Sequence, residues 1–366
     1  MKKEAKSRKS EIKRFNGGVF FAGANSGHGF VSYYDSILKD EKIEKIYILK
    51  GGPGTGKSSF MKKAAEYATR LGKSVERYIC SSDPDSLDGV VIDGRYAILD
   101  GTAPHTVDPH LAGVRDEIIN LGVFWDDLAL KKRAAEIEAL TKSKSECYKK
   151  AYRYLSAYEN ICELNSAITA PYFLEDKAKR SIDRIFSRLS LGGGYRADSG
   201  IISSVGMKGK VRYDTYERFA DKIFLIDDYL DSGHIYLRYV MEKARLTDTP
   251  IRVSYDPVCC DRPNAVFLYT GRVVFAVLDG DGALYESETV RINMKRFFDA
   301  TSKEVRAEFR LNTKLAESVM DSALEALRAA GEYHFALEEI YASCMDFAAE
   351  GVFCRNFLEN LWEKFM

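Results

Sequence analysis

Eight residues beginning at position 51 have the types and spacing of a phosphate-binding loop. The segment GGPGTGKS, Gly51–Ser58, fits the pattern G-x-x-x-x-G-K-[ST]. Glycines let the backbone curl so that its N–H groups face phosphate oxygens, and the following helix adds its positive N-terminal end. Lys57 is expected to reach the β- and γ-phosphates, and the Ser58 hydroxyl to bind Mg²⁺. The predicted nucleotide-binding residues are Gly51, Gly52, Pro53, Gly54, Thr55, Gly56, Lys57, Ser58 and Ser59.

Such a loop needs a carboxylate beside it to hold Mg²⁺, directly or through water. The apolar run RYAILD ends in Asp100, which we predict to be this metal ligand and, together with Lys57, a catalytic residue. The segment SSDPDSLDG places Asp83, Asp85 and Asp88 after another predicted strand. One of the three could orient a water molecule or accept a proton, although a simple turn is the alternative. We assign the catalytic role to Asp83.

Three further residues are weaker candidates for contact with phosphate. His105, in DGTAPHTVDPH, could sense the γ-phosphate, or it could be an ordinary loop histidine. Arg95 and Arg115 have still less support as phosphate ligands. Because no N-K-x-D-like segment, the guanine-reading signature of many GTPases, follows at a suitable place, ATP is the expected nucleotide.

The surrounding pattern predicts strands and helices in alternation. KIYIL is a short strand, and SSFMKKAAEYATRLG has helix formers closed by Gly72. SVERYIC and VVIDGRYAILDG supply further strands, with a turn at Asp93 and Gly94. From Asp126 to about Cys162, apolar residues recur at spacings of three and four, which indicates one long helix or a helical hairpin. The predicted fold is an α/β P-loop NTPase, a parallel sheet flanked by helices.

The order of elements recurs in the second half of the chain. The segment DKIFLIDDYLDSGHIYL at 221–237 aligns with EKIYILKGGPGTGKSSF at 44–60. Three further anchors follow in the same order, and a single repeat of this length indicates duplication of a domain. The anchors are YAILDG with FAVLDG (96–101, 275–280), INLGVFWD with INMKRFFD (119–126, 292–299), and AYRYLSAYENI with AGEYHFALEEI (151–161, 330–340).

These patterns predict three regions of the chain. Residues 1–175 would form a P-loop NTPase domain with an intact loop and a helical extension. Residues 176–210, which include Gly192, Gly193 and Gly194, would form a linker. Residues 211–366 would form a degenerate copy that also ends in long helices.

The second loop has lost the groups that a polyphosphate requires. Aspartates replace a lysine and two glycines, and a histidine replaces the lysine of the phosphate-binding pattern. Acidic side chains would repel a triphosphate and block close backbone approach, so this half is not expected to bind ATP. A metal site is the alternative to solvated loop acids. The residues concerned are Asp227, Asp228, Asp231 and His234.

The composition limits the partners and the location of the protein. Lys plus Arg equals Asp plus Glu at 54 each, so no global charge favours binding to nucleic acid or to an anionic membrane. Seven cysteines without metal-ligand spacing fit a reducing compartment. The basic start, residues 1–14, lacks the apolar core of a signal peptide and is expected to be a solvated tail, with a nucleic-acid-binding arm as the alternative. No window is apolar enough to cross a membrane. We expect a cytoplasmic protein.

The chain resembles an uncharacterised bacterial family of tandem P-loop proteins described simply as ATPases. The resemblance is in FFAGANSGHGFVSYYDS, IYILKGGPGTGKS, CSSDPDSLDGVVI, YAILDGTAPH and DEIINLGVFWD, and it is close through about residue 161. It implies ATP and Mg²⁺ as ligands. Family members generally have a second phosphate loop, from which this chain departs at 227–235.

The expected function is Mg²⁺-dependent ATP hydrolysis in the N-terminal half, used as a nucleotide-dependent switch. One alternative is a phosphotransferase that acts on a small molecule or a nucleotide. The other is an ATP-sensing scaffold that does not hydrolyse, because no catalytic glutamate is recognisable. The sequence does not identify the protein or small-molecule partner.

Overall fold

The computed structural model describes residues 15–38, 43–278, 287–299 and 301–363. The basic segment at the start of the chain and Asp279, which the repeat alignment compares with Asp100, lie outside the described residues. No helix in the described ranges is long and apolar enough to cross a membrane.

Strands and helices form where apolar runs and helix formers alternate in the sequence. In the first half they are β1 (Val19–Phe21), β2 (Gly23–Ser26), β3 (Gly29–Ser32), α1 (Tyr34–Leu38), β4 (Lys45–Lys50), α2 (Lys57–Arg70), β5 (Val75–Ile79), β6 (Leu87–Ile92), β7 (Tyr96–Asp100), β8 (Asp116–Asn120), α3 (Asp127–Lys132), α4 (Ala134–Thr169) and α5 (Glu175–Phe186). In the second half they are β9 (Ala197–Ser199), β10 (Ser203–Gly206), β11 (Gly209–Arg212), α6 (Thr215–Phe219), β12 (Lys222–Asp227), α7 (Gly233–Leu246), β13 (Ile251–Tyr255), β14 (Pro263–Leu268), β15 (Val273–Val277), β16 (Glu288–Asn293), α8 (Lys303–Ser343) and α9 (Phe347–Glu363).

The first sheet is mixed and has the strand order β1-β5-β6-β7-β4-β8. Strand β4 is parallel to both of its neighbours, whereas β6 is antiparallel to β5 and β7. The chain reverses between β6 and β7 at Asp93 and Gly94, whose φ angles of 50° and 66° suit a two-residue hairpin turn. The prediction of a parallel sheet is therefore confirmed around β4 and wrong at β6. The hairpin turn makes β6 antiparallel to β7.

The second sheet repeats the first. Its order is β16-β12-β15-β14-β13-β9. Strand β12 is parallel to β15 and β16, and β14 is antiparallel to β13 and β15. Strand β12 is followed by α7 just as β4 is followed by α2. The architecture is α/β with two mixed sheets of mostly parallel strands, helices that flank them and long C-terminal helices, which is consistent with duplication.

The chain divides into two compact units. Among the described residues, the first unit contains 15–158, 203–213 and 318–363, and the second contains 159–202 and 214–317. Each unit therefore holds one large sheet and a helical segment that comes from the other half of the sequence.

This division corrects the boundaries expected from the sequence at 1–175, 176–210 and 211–366. The expected linker contains most of α5, and it contains β9, which pairs with β13 in the second sheet. Its Gly192, with φ of 100°, does allow an irregular turn. Strands of three or four residues flanked by serine and glycine have too little periodicity to be recognised in the sequence.

The helical segments attach to the two units by equivalent contacts. In the first unit, Trp125 forms an isolated bridge with Met345. In the second unit, Phe298 forms the same kind of bridge with Phe173. Trp125 and Phe298 hold corresponding positions in the repeated segments INLGVFWD and INMKRFFD. The duplication therefore includes the way in which each sheet receives its helical segment.

The strand registers correct one anchor of the repeat. Leu49 lies opposite Asp100 in the first sheet, and Ile226 lies opposite Val277 in the second. Val277, rather than Asp279, therefore occupies the position of Asp100. A slip of two residues preserves the alternation of side chains along a strand, so the apolar pattern could not reveal it.

The core of the second unit is tested by the replacement of Phe275 with alanine. Phe275 is fully buried and stacks on Phe224 with ring centroids 4.7 Å apart. Loss of this side chain should lower the free energy of unfolding by about 3–5 kcal/mol, because a cavity remains. Phe335→Ala, at a position 47% exposed, should cost less than about 1 kcal/mol. Urea denaturation followed by circular dichroism measures both, and equal losses would contradict this description of the core.

Candidate functional site

The glycine-rich loop of the first unit joins the end of β4 to the start of α2. Gly54 and Gly56 have φ angles of 68° and 81°, a left-handed conformation that glycine adopts without strain. The Thr55 hydroxyl donates a hydrogen bond to Gly52 O at 2.9 Å and closes the loop on itself. No side chain caps the start of α2 at Lys57. The positive end of this helix therefore remains at the loop.

Lys57 connects the loop to the end of the neighbouring strand. Its Nζ donates hydrogen bonds to Gly51 O at 2.8 Å and to Gly52 O at 2.7 Å. The same atom lies 3.7 Å from Asp100 Oδ2. Lys57 is only 9% exposed, and a charge removed from water in this way requires hydrogen bonds and an opposite charge. The loop and Asp100 supply both.

Asp100 is the last residue of β7, the parallel neighbour of β4. Parallel strands bring their carboxyl ends to one edge of a sheet, which explains how Asp100 reaches Lys57. Asp100 Oδ1 accepts hydrogen bonds from Thr102 N–H at 2.8 Å and from the Thr102 hydroxyl at 2.6 Å. Burial raises the pKa of Asp100, whereas the Lys57 charge and the Thr102 hydrogen bonds lower it.

Asp88 is a second carboxylate at this edge of the sheet. Gly89 lies opposite Leu99, so Asp88 lies beside Asp100 on the adjacent strand, and its charge contributes to the raised pKa of Asp100. Asp88 Oδ2 lies 2.8 Å from His105 Nε2. Both residues are buried, with 5% and 4% of their surfaces exposed. The structure thus joins one of the three sequence-predicted acids to the weaker candidate His105.

Aromatic side chains enclose the His105 ring. Tyr34 stacks on it with ring centroids 4.7 Å apart, and Phe30 meets it edge-on at 4.5 Å. A Cβ atom on Gly23 would lie 2.9 Å from His105 Cε1, so this position admits the imidazole because it is glycine. The Tyr34 hydroxyl also donates a hydrogen bond to Asp88 O at 2.6 Å. The segment GANSGHGF therefore has a structural role that the sequence did not reveal, since it forms a wall around His105.

Asp83, predicted as catalytic, has a local role in a turn. Its Oδ2 accepts a hydrogen bond from the Ser86 hydroxyl at 2.7 Å, and its Oδ1 accepts one from Asp85 N–H at 3.2 Å. Asp85 forms an ion pair with Lys208. The alternative that this segment forms a simple turn fits Asp83 and Asp85, whereas Asp88 lies on a strand beside Asp100.

Ser58 and Ser59 differ in their surroundings. Ser58 Oγ accepts a hydrogen bond from Leu87 N–H at 2.9 Å, and this leaves the hydroxyl its own proton and a lone pair. Ser59 is exposed. Within the described ranges, no group of three or more His, Cys, Asp or Glu side chains could hold a metal ion.

The two arginines considered as phosphate ligands are paired elsewhere in the first unit. Arg95 Nε lies 2.8 Å from Glu44 Oε1. Arg115 Nε lies 2.6 Å from Asp116 Oδ1. Each guanidinium is therefore already matched by a carboxylate.

The loop also contacts helix α8, which sequence reasoning missed. A methyl group on Gly54 would collide with the backbone carbonyl of Glu338. A Cβ atom on Gly52 would lie 3.3 Å from Trp125 Cζ2 and from Tyr341 Cε1. Two glycines of the loop thus allow its shape, and they also leave room for neighbouring residues to approach closely. Glu338 and Tyr341 are nearly 300 residues from the loop in sequence, so no local pattern could indicate the contact.

The Glu338 side chain adds a negative charge at the loop. Its pKa is lowered first by a hydrogen bond from His334, and also by the Lys57 charge and the N–H of Gly54. His334 Nε2 lies 3.5 Å from Glu338 Oε1. The charge of Lys57 is therefore shared between a carboxylate of the sheet and one of α8.

The second unit has a loop at the corresponding position, but this loop lacks the charge of Lys57. His234 stands where the first loop has Lys57, and burial, with the positive charges of Arg262 and Arg238, lowers the pKa of His234 to about 4. The imidazole is therefore neutral at pH 7. Asp231 is paired instead with Arg262, whose Nη1 lies 2.5 Å from Asp231 Oδ2.

The backbone N–H groups of the second loop are bound by its own carboxylate. Asp228, at the position of Gly51, accepts hydrogen bonds at Oδ1 from Tyr229 N–H at 2.8 Å, Ser232 N–H at 3.0 Å and Gly233 N–H at 2.8 Å. These amides correspond to loop amides that the sequence predicts to face phosphate in the first half. The sequence predicts from charge repulsion that this loop does not bind phosphate, and the structure adds that these amides already have an acceptor.

Comparison of the chain with protein-family models, with curated proteins and with solved structures found no match. The Lys57 loop, Asp100, Asp88 and His105 form one continuous polar region in this chain.

The contact between the loop and α8 is tested by Gly54→Ala with Gly72→Ala as a control. Both glycines have positive φ angles, 68° and 72°, so each alanine should cost about 1 kcal/mol in backbone strain. Only the Gly54 variant also meets the Glu338 carbonyl, whereas Gly72 has open space. We therefore expect a clearly larger fall in melting temperature for Gly54→Ala. Equal falls would show that α8 does not pack on the loop.

The role of Asp228 is tested by comparing Asp228→Ala with Asp227→Ala. Each variant loses one carboxylate from an exposed residue, but only Asp228 accepts three backbone hydrogen bonds. Loss of a side-chain acceptor of this kind at a helix start costs about 1–2 kcal/mol. Denaturation in urea should show this loss for Asp228→Ala and almost none for Asp227→Ala. The reverse order would exclude the structural role of Asp228.

Proposed function

We propose that the protein is a P-loop NTPase that binds Mg-ATP at Gly51–Ser58, hydrolyses it and acts as a nucleotide-dependent switch. The active site lies in the N-terminal half only. The observation that carries this proposal is the position of the Lys57 ammonium. It is held by two loop carbonyls and by Asp100 at the start of a helix without a side-chain cap.

The loop suits a triphosphate in both shape and charge. The left-handed Gly54 and Gly56 turn the backbone sharply, and backbone amides together with a helix N-terminus form an anion site. Lys57 supplies a cation whose present partners are two neutral carbonyls and a carboxylate. A γ-phosphate would provide an anionic partner of greater charge.

The Ser58 hydroxyl and the Asp100 carboxylate are the groups that would hold Mg²⁺. Their chemistry fits, since Mg²⁺ prefers oxygen ligands and keeps several of its waters, so that one or two protein ligands suffice. The bound ion would neutralise charge on the β- and γ-phosphate oxygens. Asp100 serves the site without the ion as well, because it orients Lys57.

The contacts of the loop with α8 support the switch. Gly54 packs on the Glu338 backbone, and Gly52 packs on Trp125 and Tyr341. A phosphate group that binds the loop must compete with the Glu338 carboxylate for the Gly54 N–H and for Lys57. Nucleotide binding would therefore alter the contacts of α8, which is the kind of local charge change that drives switching proteins.

Two other functions are separate outcomes of the same assays. ADP formation that depends on an added small molecule would indicate a phosphotransferase. Tight ATP binding without turnover would indicate an ATP-sensing scaffold. A cytoplasmic location is part of the proposal, because the seven cysteines, all of which lie in the described ranges, are not joined in disulfides, as expected in a reducing compartment.

The proposal predicts opposite results for the two corresponding loop positions. Lys57→Ala should lower the rate of ATP hydrolysis by at least about a hundredfold, because a cation that stabilises the phosphates is lost. His234→Ala should leave ATP affinity and turnover unchanged, because the second loop binds no nucleotide. Calorimetric titration with Mg-ATP measures affinity, and ADP release measures turnover. Equal turnover in Lys57→Ala and the native chain would refute the proposal.

A further inference from the structure

Buried polar atoms without a hydrogen-bond partner lie together beside the Lys57 loop. Within the described part of the chain they include Asp88 Oδ2 and both ring nitrogens of His105. The 2.8 Å separation of Asp88 Oδ2 and His105 Nε2 is short enough for a hydrogen bond, but the N–H is not directed along it. Buried polar atoms in a folded protein normally have a hydrogen-bond partner, and those without one often mark a catalytic group or a position for water.

We propose that Asp88 is the general base of the reaction and that His105 is a positioning residue that holds the Asp88 carboxylate in place. This inference rests on the proposed hydrolysis of ATP at the Lys57 loop. The water oxygen bonds to the γ-phosphorus, and the bond from that phosphorus to the β,γ-bridging oxygen breaks. The electron pair of that bond leaves with ADP. The proton of the water passes to the Asp88 carboxylate, and the products are ADP and phosphate.

The other carboxylates of this region are already bound to neighbouring groups. Both oxygens of Asp83 accept hydrogen bonds within a turn. Asp100 accepts two hydrogen bonds from Thr102 and faces Lys57. Asp88 lies beside Asp100 in the sheet, and its Oδ2, which lies 2.8 Å from His105 Nε2, receives no well-directed hydrogen bond. A general base needs this combination of proximity to the phosphate site and a free lone pair.

The surroundings of His105 keep its ring in one orientation. Tyr34 and Phe30 cover two sides, and Gly23 leaves room for Cε1. Because the ring cannot turn freely between these neighbours, Nε2 stays against Asp88. Tyr34 adds a hydrogen bond to the backbone of Asp88. A fixed imidazole beside a carboxylate is an arrangement that holds the carboxylate in position.

The second unit supports the view that Lys57, Asp88 and Asp100 act together in the first unit. Ala265 lies opposite Ala276, so Asn264 and Val277 occupy the positions of Asp88 and Asp100. Both carboxylates are therefore absent from the unit in which histidine replaces the loop lysine. The strands themselves are retained, which indicates that the carboxylates serve the chemistry of the first loop rather than the packing of the sheet.

The test separates turnover from binding in three variants. Asp88→Asn should lower kcat by about 10²–10⁴, the usual contribution of a general base, with the affinity for Mg-ATP changed less than about threefold. His105→Ala should lower kcat by at least about tenfold, and His105→Asn, which retains a side-chain N–H, should recover part of that loss. Asp83→Asn, the competing carboxylate, should lower kcat by less than about threefold. Calorimetry with Mg-ATP confirms that each variant is folded and binds.

The outcomes distinguish this inference from the proposed function. Native protein that binds no ATP would refute the nucleotide site, and binding without turnover would refute hydrolysis and the base together. Native turnover with an equal kcat in Asp88→Asn would overturn the inference alone. A larger loss in Asp83→Asn than in Asp88→Asn would transfer the role to Asp83. A fall in ATP affinity without a fall in kcat in His105→Ala would show that His105 is only structural.

Discussion

The structure of the first unit depends on keeping the Lys57 ammonium out of bulk water. A buried cation needs oxygen atoms close to it, and here they come from two loop carbonyls and Asp100. The loop can offer its carbonyls only if its backbone turns sharply, which explains the left-handed Gly54 and Gly56. Asp100 can reach the ammonium only if β7 lies beside β4 and runs in the same direction. The loop, the strand order and the strand direction together give this one charge its oxygen partners.

The second unit shows that the shape of this arrangement can be kept without its charge. Strand β12 lies between two parallel neighbours as β4 does, and the Ser232 hydroxyl bonds Tyr229 O at 2.7 Å as Thr55 bonds Gly52 O. What differs is the source of the anion, because Asp228 provides it from within the loop. A loop that contains its own anion no longer needs a ligand to satisfy its amides. The two units therefore share the skeleton of the loop and differ in the charged groups placed on it.

The sequence predicted the parts of the site that depend on local pattern. The loop at Gly51–Ser58 follows a strand and precedes a helix, and Asp100 ends the neighbouring strand, as expected. The sequence could not separate Asp83 from Asp88, because only the sheet shows that Asp88 lies in β6 beside Asp100. Asp83 lies in the turn before β6. The equivalence of Val277 to Asp100 was also hidden, because a two-residue shift leaves the apolar alternation unchanged.

The contact between the loop and α8 had no signal in the sequence, and it bears most directly on the proposed switch. Gly54 has no side chain to separate it from the Glu338 backbone, so the two backbones lie in close contact. The charge of Lys57 and the N–H of Gly54, groups that a triphosphate would bind, both lower the pKa of the Glu338 carboxylate. Two anions cannot share these partners without strong repulsion. If ATP binds as proposed, its phosphates would repel the Glu338 carboxylate, and this repulsion is the link between the loop and α8 on which the proposed switch depends.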